Sequence, residues 1–231
     1  MKKNFINRLI IYAIGLCVLA LGIMLNSKCG LGVSPILSSA YAVADITGTK
    51  FGDITLILYI LMIIFEVTAH AIRKEGKAVI IKDMLQIVVS IIFTRVMNLL
   101  SVFIPDFGTD FPNSFWGSVW GQLIVLAAGI IFTGAGVYIS TKPRMVPNPG
   151  DGIVQTISDM TGKSLGFIKN CVDCTGIILA VVISLIAVHH LIGVGIGSIL
   201  AMLLTGRAVA IVSKAIDKPV SAFLSMDEAN S

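Results

Sequence analysis

The stretch Pro143-Arg144-Met145-Val146-Pro147-Asn148-Pro149-Gly150-Asp151-Gly152 separates two long apolar runs and holds three of the chain's seven prolines. Its Asn148-Pro149 pair reads as a helix start, because Asn is a favoured N-cap and Pro is preorganised for the first helical position. The same grammar stands 114 residues earlier, at Ser34-Pro35. With that offset held, Gly15 meets Gly129, Gly22 meets Gly136 and Lys28 meets Lys142. Asp45-Ile46-Thr47-Gly48 then lies over Asp159-Met160-Thr161-Gly162, and Gly52 over Gly166. Unrelated apolar segments would agree through Leu, Ile and Val. These agree through Gly, Pro, Asp and Lys, and the first two fix backbone shape. Further on the offset slips to about 112, where Arg95 falls over Arg207. The chain reads as a duplication.

With 56% apolar residues and only 13% charged among 231, the sequence does not describe a soluble globule. The long charge-free runs, 9–27, 111–141 and 174–206, reach the roughly 20 residues needed to cross about 30 Å of hydrocarbon. Lys2, Lys3 and Arg8 before the first run resemble the head of a signal peptide. No small-residue cleavage site follows and the run belongs to the repeat, so it reads as an uncleaved first span. A formal charge of +4 needs no nucleic-acid partner. Cys17, Cys171 and Cys174 fall in apolar segments and Cys29 in a loop; the Cys171/Cys174 pair has no second pair beside it. Buried structural cysteine is the reading preferred over metal or redox work.

The expected spans are 9–26, 52–72, 83–104, 115–139, 165–188 and 191–212. Two short helices, 35–47 and 149–160, stop at Gly48 and Gly162. At 1.5 Å per residue neither is long enough to cross. The fold class is therefore an all-α polytopic membrane protein of two inverted three-span repeats, each with a short re-entrant or interfacial helix. Residues 1–114 form the first repeat, 115–214 the second, and 215–231 a polar cytoplasmic tail. Six crossings put the Arg73–Lys82 loop, Lys142 to Lys163 and Lys214 to Lys218 on the cytoplasmic side with both termini. Asp106, Asp110 and His189-His190 then lie outside, as do Lys28 and Lys50, against the trend. Three crossings per half is an odd number, so the halves would sit upside down to each other, a recurring transporter plan.

Gly-Leu-Gly-Val-Ser-Pro at 30–35 and Asn-Pro-Gly-Asp-Gly at 148–152, in a chain of this size, resemble the YczE/YyaS/YitT group of bacterial integral membrane proteins. The resemblance spans nearly the whole chain and implies a multi-pass protein of the bacterial inner membrane. It implies no agreed mechanism or functional residues.

Ionisable groups within spans are costly and mark functional hypotheses. Arg95 sits near the middle of the third span, where snorkelling is hard; it either lines a polar cavity or joins a structural ion pair. Its repeat mate Arg207 is close enough to Lys214 to snorkel. Glu66 shares a helical face with His70, and Lys169 with Asp173, with Asn170 alongside. Bundle glue is the plain reading of these pairs. Helix starts at Ser34 and Asn148, if they point into the membrane, would offer unpaired N–H groups to an anion, with Asp151 offsetting that field. The candidate substrate-binding set is Arg95, Arg207, Ser34, Asn148, Asp151, Asn170, Asp173 and Glu66, with no metal and no cofactor. The glycines, including the Gly193/Gly197 G-x-x-x-G, are read as helix-packing positions.

The function expected is a small-solute transporter or channel, with an anion or carboxylate the substrate class named first. A non-transporting membrane scaffold or regulatory partner is the alternative. An enzyme is not expected, since no H-E-x-x-H, G-x-S-x-G or carboxylate-rich metal cluster is present. A cavity joining the two short-helix starts would favour transport; a core packed solid with Leu and Ile would favour the scaffold.

Overall fold

The computed structural model describes residues 2–225. These residues form eight α-helices: α1 (Lys2–Lys28), α2 (Ser38–Thr47), α3 (Phe51–Ile72), α4 (Lys77–Phe103), α5 (Val119–Thr141), α6 (Pro149–Thr161), α7 (Leu165–Val188) and α8 (Ile196–Ser225). Six of them, all but α2 and α6, are long and apolar enough to cross a membrane. Their outward faces carry Ile57, Leu61 and Ile64 on α3, Val88, Ile92 and Leu99 on α4, and Ile178, Val182 and Ile186 on α7, all exposed. Such apolar rows face hydrocarbon rather than water. Phe115, Trp116 and Trp120 cluster at the start of α5, the aromatic content of a membrane interface.

The centre of the bundle is the antiparallel pair α1 and α5. Side chains there are small enough to let backbones touch. A Cβ on Gly15 would fall on the backbone of Ser140, and one on Gly129 would fall on Asn26. Likewise Gly22 abuts Thr133, and Gly136 abuts Leu19. Ser140 and Asn26 are 114 apart, as are Thr133 and Leu19, so each contact has its counterpart at the repeat offset. Around this pair α4 packs on α1, and α8 packs on α5. Each short helix crosses over to the other half: α2 lies on α7, and α6 lies on α3.

Short-helix boundaries follow local chemistry. Gly48 and Gly162 take left-handed conformations (φ 64° and 67°) that end α2 and α6, as expected from the sequence. The first helix begins differently from the expectation. Pro35–Leu37 is a 3₁₀ turn closed by Leu37 N–H on the Ser34 carbonyl, and the Ser34 hydroxyl makes no cap hydrogen bond.

The last span departs further. It was expected from residue 191 but starts at Ile196, because Gly193 turns with φ 69° and its carbonyl accepts from Val33 N–H. Gly193 packs on Tyr41 and Gly197 on Leu31, so the G-x-x-x-G seats a loop and a helix start rather than joining two helices. Past the end of its apolar run α8 continues to Ser225, through Pro219, into the expected tail; 226–231 lie outside the described residues. The cysteine reading is corrected too. Cys17, Cys171 and Cys174 are exposed on outward faces, and only Cys29 is buried, where desolvation pushes its thiol pKa up.

Candidate functional site

At the start of α6 the Asn148 side chain folds back on its own helix. Its Oδ1 accepts from Gly150 N–H at 3.1 Å, and its backbone carbonyl accepts from Asp151 N–H at 2.9 Å and Gly152 N–H at 2.8 Å. That bond fixes the amide orientation and leaves Nδ2, on a side chain 7% exposed, without a partner. The Tyr59 hydroxyl is the neighbouring group towards which the Asn148 amide can donate, short of full hydrogen-bond geometry. One helical turn into α7, Lys169 Nζ holds Asp173 Oδ2 at 3.2 Å, while Asp173 Oδ1, on a residue 2% exposed, has no partner. Buried polar atoms are nearly always satisfied, so both orphans need an explanation.

Asn148 and Asp173 both line one cavity of about 270 Å³ between α1, α3, α5, α6, α7, α8 and the turn at Pro35. Ser34 and Pro35 line it from the first short helix and Asn148, Gly150 and Asp151 from the second, with Lys169 and Asp173 alongside. The lining is organised by the repeat. Leu19 and Thr133, Ile23 and Val137, Ser34 and Asn148, Ile36 and Gly150, and Tyr59 and Asp173 all contribute, and each pair is 114 apart. On α8 the lining is Ala201, Thr205, Gly206 and Val209. At the offset of 112 the matching α4 residues are Val89, Phe93, Thr94 and Met97, and the last three are buried in the core. Thr205 and Gly206 leave a space that Phe93 and Thr94 do not.

The two halves also differ at their seams. Between α3 and α4 a Cβ on Gly52 would meet Asn98 and the Thr94 carbonyl, and Gly52 N–H donates to Asn98 Oδ1 at 2.9 Å. Asn98 Nδ2 donates to Asp53 Oδ1 at 3.0 Å, and Arg95 Nη2 lies 2.8 Å from the same oxygen. In the other half the counterparts of Gly52 and Thr94 are Gly166 and Gly206, and neither has anything within 4 Å of such a Cβ. There α8 leans on α5 and touches α7 little.

Of the eight candidate residues, Ser34, Asn148, Asp151 and Asp173 line the cavity. Arg95 is a correction. The expected span put it mid-membrane, lining a polar cavity or joined in a structural ion pair, with Glu66, Asp173, a short-helix carbonyl or a bound anion as its partner. In fact α4 begins six residues earlier, at Lys77, and Arg95 extends to Asp53 in the first turn of α3, with its side chain 54% exposed. Arg207 is exposed on α8, with no ion-pair partner among the described residues, and Asn170 is exposed on α7. None of these three lines the cavity. Glu66 is buried behind α6, where it fills the space at Gly152 and accepts from Gln86 Nε2 at 2.7 Å. His70 Nδ1 pairs with Asp83 at 2.7 Å rather than with Glu66, and its Nε2 lies 3.3 Å from Thr156 Oγ1. Sequence reasoning paired Lys169 with Asp173 without placing it in the binding set, and left out Tyr59 and Thr205; the repeat offset from Asp173 to Tyr59 was the one signal for the aromatic residue.

A family model matches residues 6–214. The chain belongs to the DUF6198 family, a family of unknown function. It is also similar to the Uncharacterized membrane protein YczE of Bacillus subtilis (strain 168), 26% identical over 208 residues, which cover 89% of this chain and 85% of that protein. Similarity extends to the Uncharacterized protein YyaS of the same organism, 22% identical over 202 residues, 84% of this chain and 87% of that one. No solved structure matches. With six candidate spans and a membrane protein among these relatives, the chain is an integral membrane protein.

Proposed function

We propose that this DUF6198 protein is a small-solute transporter of the bacterial inner membrane, built from two inverted three-span repeats with its site between them. The observation that carries the reading is the cavity that joins both short-helix starts and is lined by residues in pairs 114 apart. A two-fold relation between halves makes paired residues face a shared centre. The antiparallel α1/α5 contacts support an axis perpendicular to those helices, hence in the membrane plane. Pro35 supports re-entrance of the first short helix, since its carbonyl abuts Gly176, halfway along α7. A scaffold needs no such void, and an unfilled cavity with orphaned polar atoms costs stability.

The seams supply the mechanism. The α3/α4 seam is clasped by Asp53, Arg95 and Asn98, while the α7/α8 seam gapes at Gly166 and Gly206. With basic loops inside, the gaping seam faces the cytoplasm and the clasp seals the outside, an inward-open state. Exchange of the two seam geometries between the halves yields the outward-open state. Purified protein in liposomes tests this: saturable uptake of at least one small solute is the expected result. Liposomes impermeable to cationic, neutral and anionic panels alike would leave the scaffold reading.

A further inference from the structure

The same cavity carries information about charge. Anion binding at the start of α6 would need free amides, but Gly150, Asp151 and Gly152 N–H are all taken by Asn148. It would also need a free cation, and Arg95 and Arg207 both lie elsewhere. The ionisable residues that line the space are two acids, Asp151 and Asp173, and one base, Lys169. With one ammonium between two acids at membrane depth, the second carboxyl stays protonated until a further cation enters, and such a cation keeps both ionised. Asp173 Oδ1 is an orphaned acceptor, and Asn148 Nδ2, beside the Tyr59 hydroxyl, is a donor with no well-formed bond, its orientation fixed by Gly150.

We infer that the cavity takes a small organic ammonium that also carries an oxygen acceptor. Its N–H groups bond Asp173, and its oxygen accepts from Asn148 Nδ2. A bare metal ion satisfies only the first, because an amide NH₂ cannot ligate a cation. The cavity, about 270 Å³, sits just below the range of pockets for drug-sized ligands, which fits a solute of few heavy atoms. Lys169, with its side chain 36% exposed, is then a tethered stand-in that holds Asp173 until an ammonium displaces it. The inference rests on the reading of this cavity as a solute site, and it separates from transport in the test.

The probes are ω-amino alcohols of two to five carbons, compared with the matching diols and ω-hydroxycarboxylates at equal ionic strength. Full-length protein in nanodiscs is melted with each. The amino alcohols should raise the melting temperature in a saturable way, and the diols and hydroxycarboxylates should not. Asp173→Asn should weaken the apparent amine affinity at least tenfold. Lys169→Met should melt lower alone yet gain more from the amine than wild type, which keeps the test valid if the first variant folds poorly. Stabilisation by the hydroxycarboxylates, by no probe, or equally in Asp173→Asn overturns the inference. Amine stabilisation without amine uptake in liposomes keeps the site and removes transport. Saturable uptake of hydroxycarboxylates alone keeps transport and removes the ammonium.

Discussion

Arg95 and Asp53 form an ion pair with both side chains about half exposed, and such pairs contribute about 0–1 kcal/mol. Arg95→Gln should therefore leave yield and melting temperature within about 1 kcal/mol of wild type by denaturation. Its effect belongs to the clasp: a cysteine placed at Thr94, buried against Gly52 at the α3/α4 seam, should become more accessible to water-soluble thiol reagents. A drop in stability of several kcal/mol would mean that the pair holds the bundle together. Cys29 offers a second check. Buried, with its thiol pKa raised, it should react slowly with maleimide in the native protein until the pH passes the ordinary thiol range. Rapid labelling at neutral pH would place it in an open loop. Asn148 and Asp173 could be found by reading residue types alone, since an N-cap and a mid-helix carboxylate stand out among apolar neighbours. Arg95 was misread because counting residues from Asp83 measured depth from the wrong helix start, and a long side chain reaches further than its Cα. Tyr59 could not be recognised without the offset, because an aromatic residue on an apolar helix reads as core.

Among the helices, the proposed transport cycle makes α1 and α5 the rigid part and the seams the moving part. Gly22 and Gly136 are each pressed on the facing backbone, and a larger side chain there overpacks a contact that cannot yield. Gly136→Leu should cost about 1–3 kcal/mol or more and lower yield. Full wild-type stability would show that the α1/α5 pair can slide apart. Gly206 is the converse. Nothing lies within 4 Å of a Cβ there, so Gly206→Leu should fold with unchanged melting temperature. It should nevertheless reduce uptake at least tenfold, because the seam can no longer close. Undiminished uptake would make the gap between α7 and α8 incidental. The paired glycines and prolines made the duplication and both short helices legible. The start of α8 was not, since an apolar run hides the turn that Gly193 makes to meet Val33.

For the molecule as a whole, the claim is that one sequence pattern, repeated and inverted, holds a solute site between two seams that open in turn. Spin labels can be placed at exposed positions that correspond across the repeat: Thr49 with Leu99 for the α3/α4 seam, and Lys163 with Ile211 for the α7/α8 seam. Pulsed electron–electron resonance distances in nanodiscs, with and without a transported solute, measure both seams in the same protein. Alternating access predicts two populations at each site, changing in opposite senses: as Lys163–Ile211 shortens, Thr49–Leu99 lengthens. A single unchanging distance at both seams, in protein that moves solute, would contradict it.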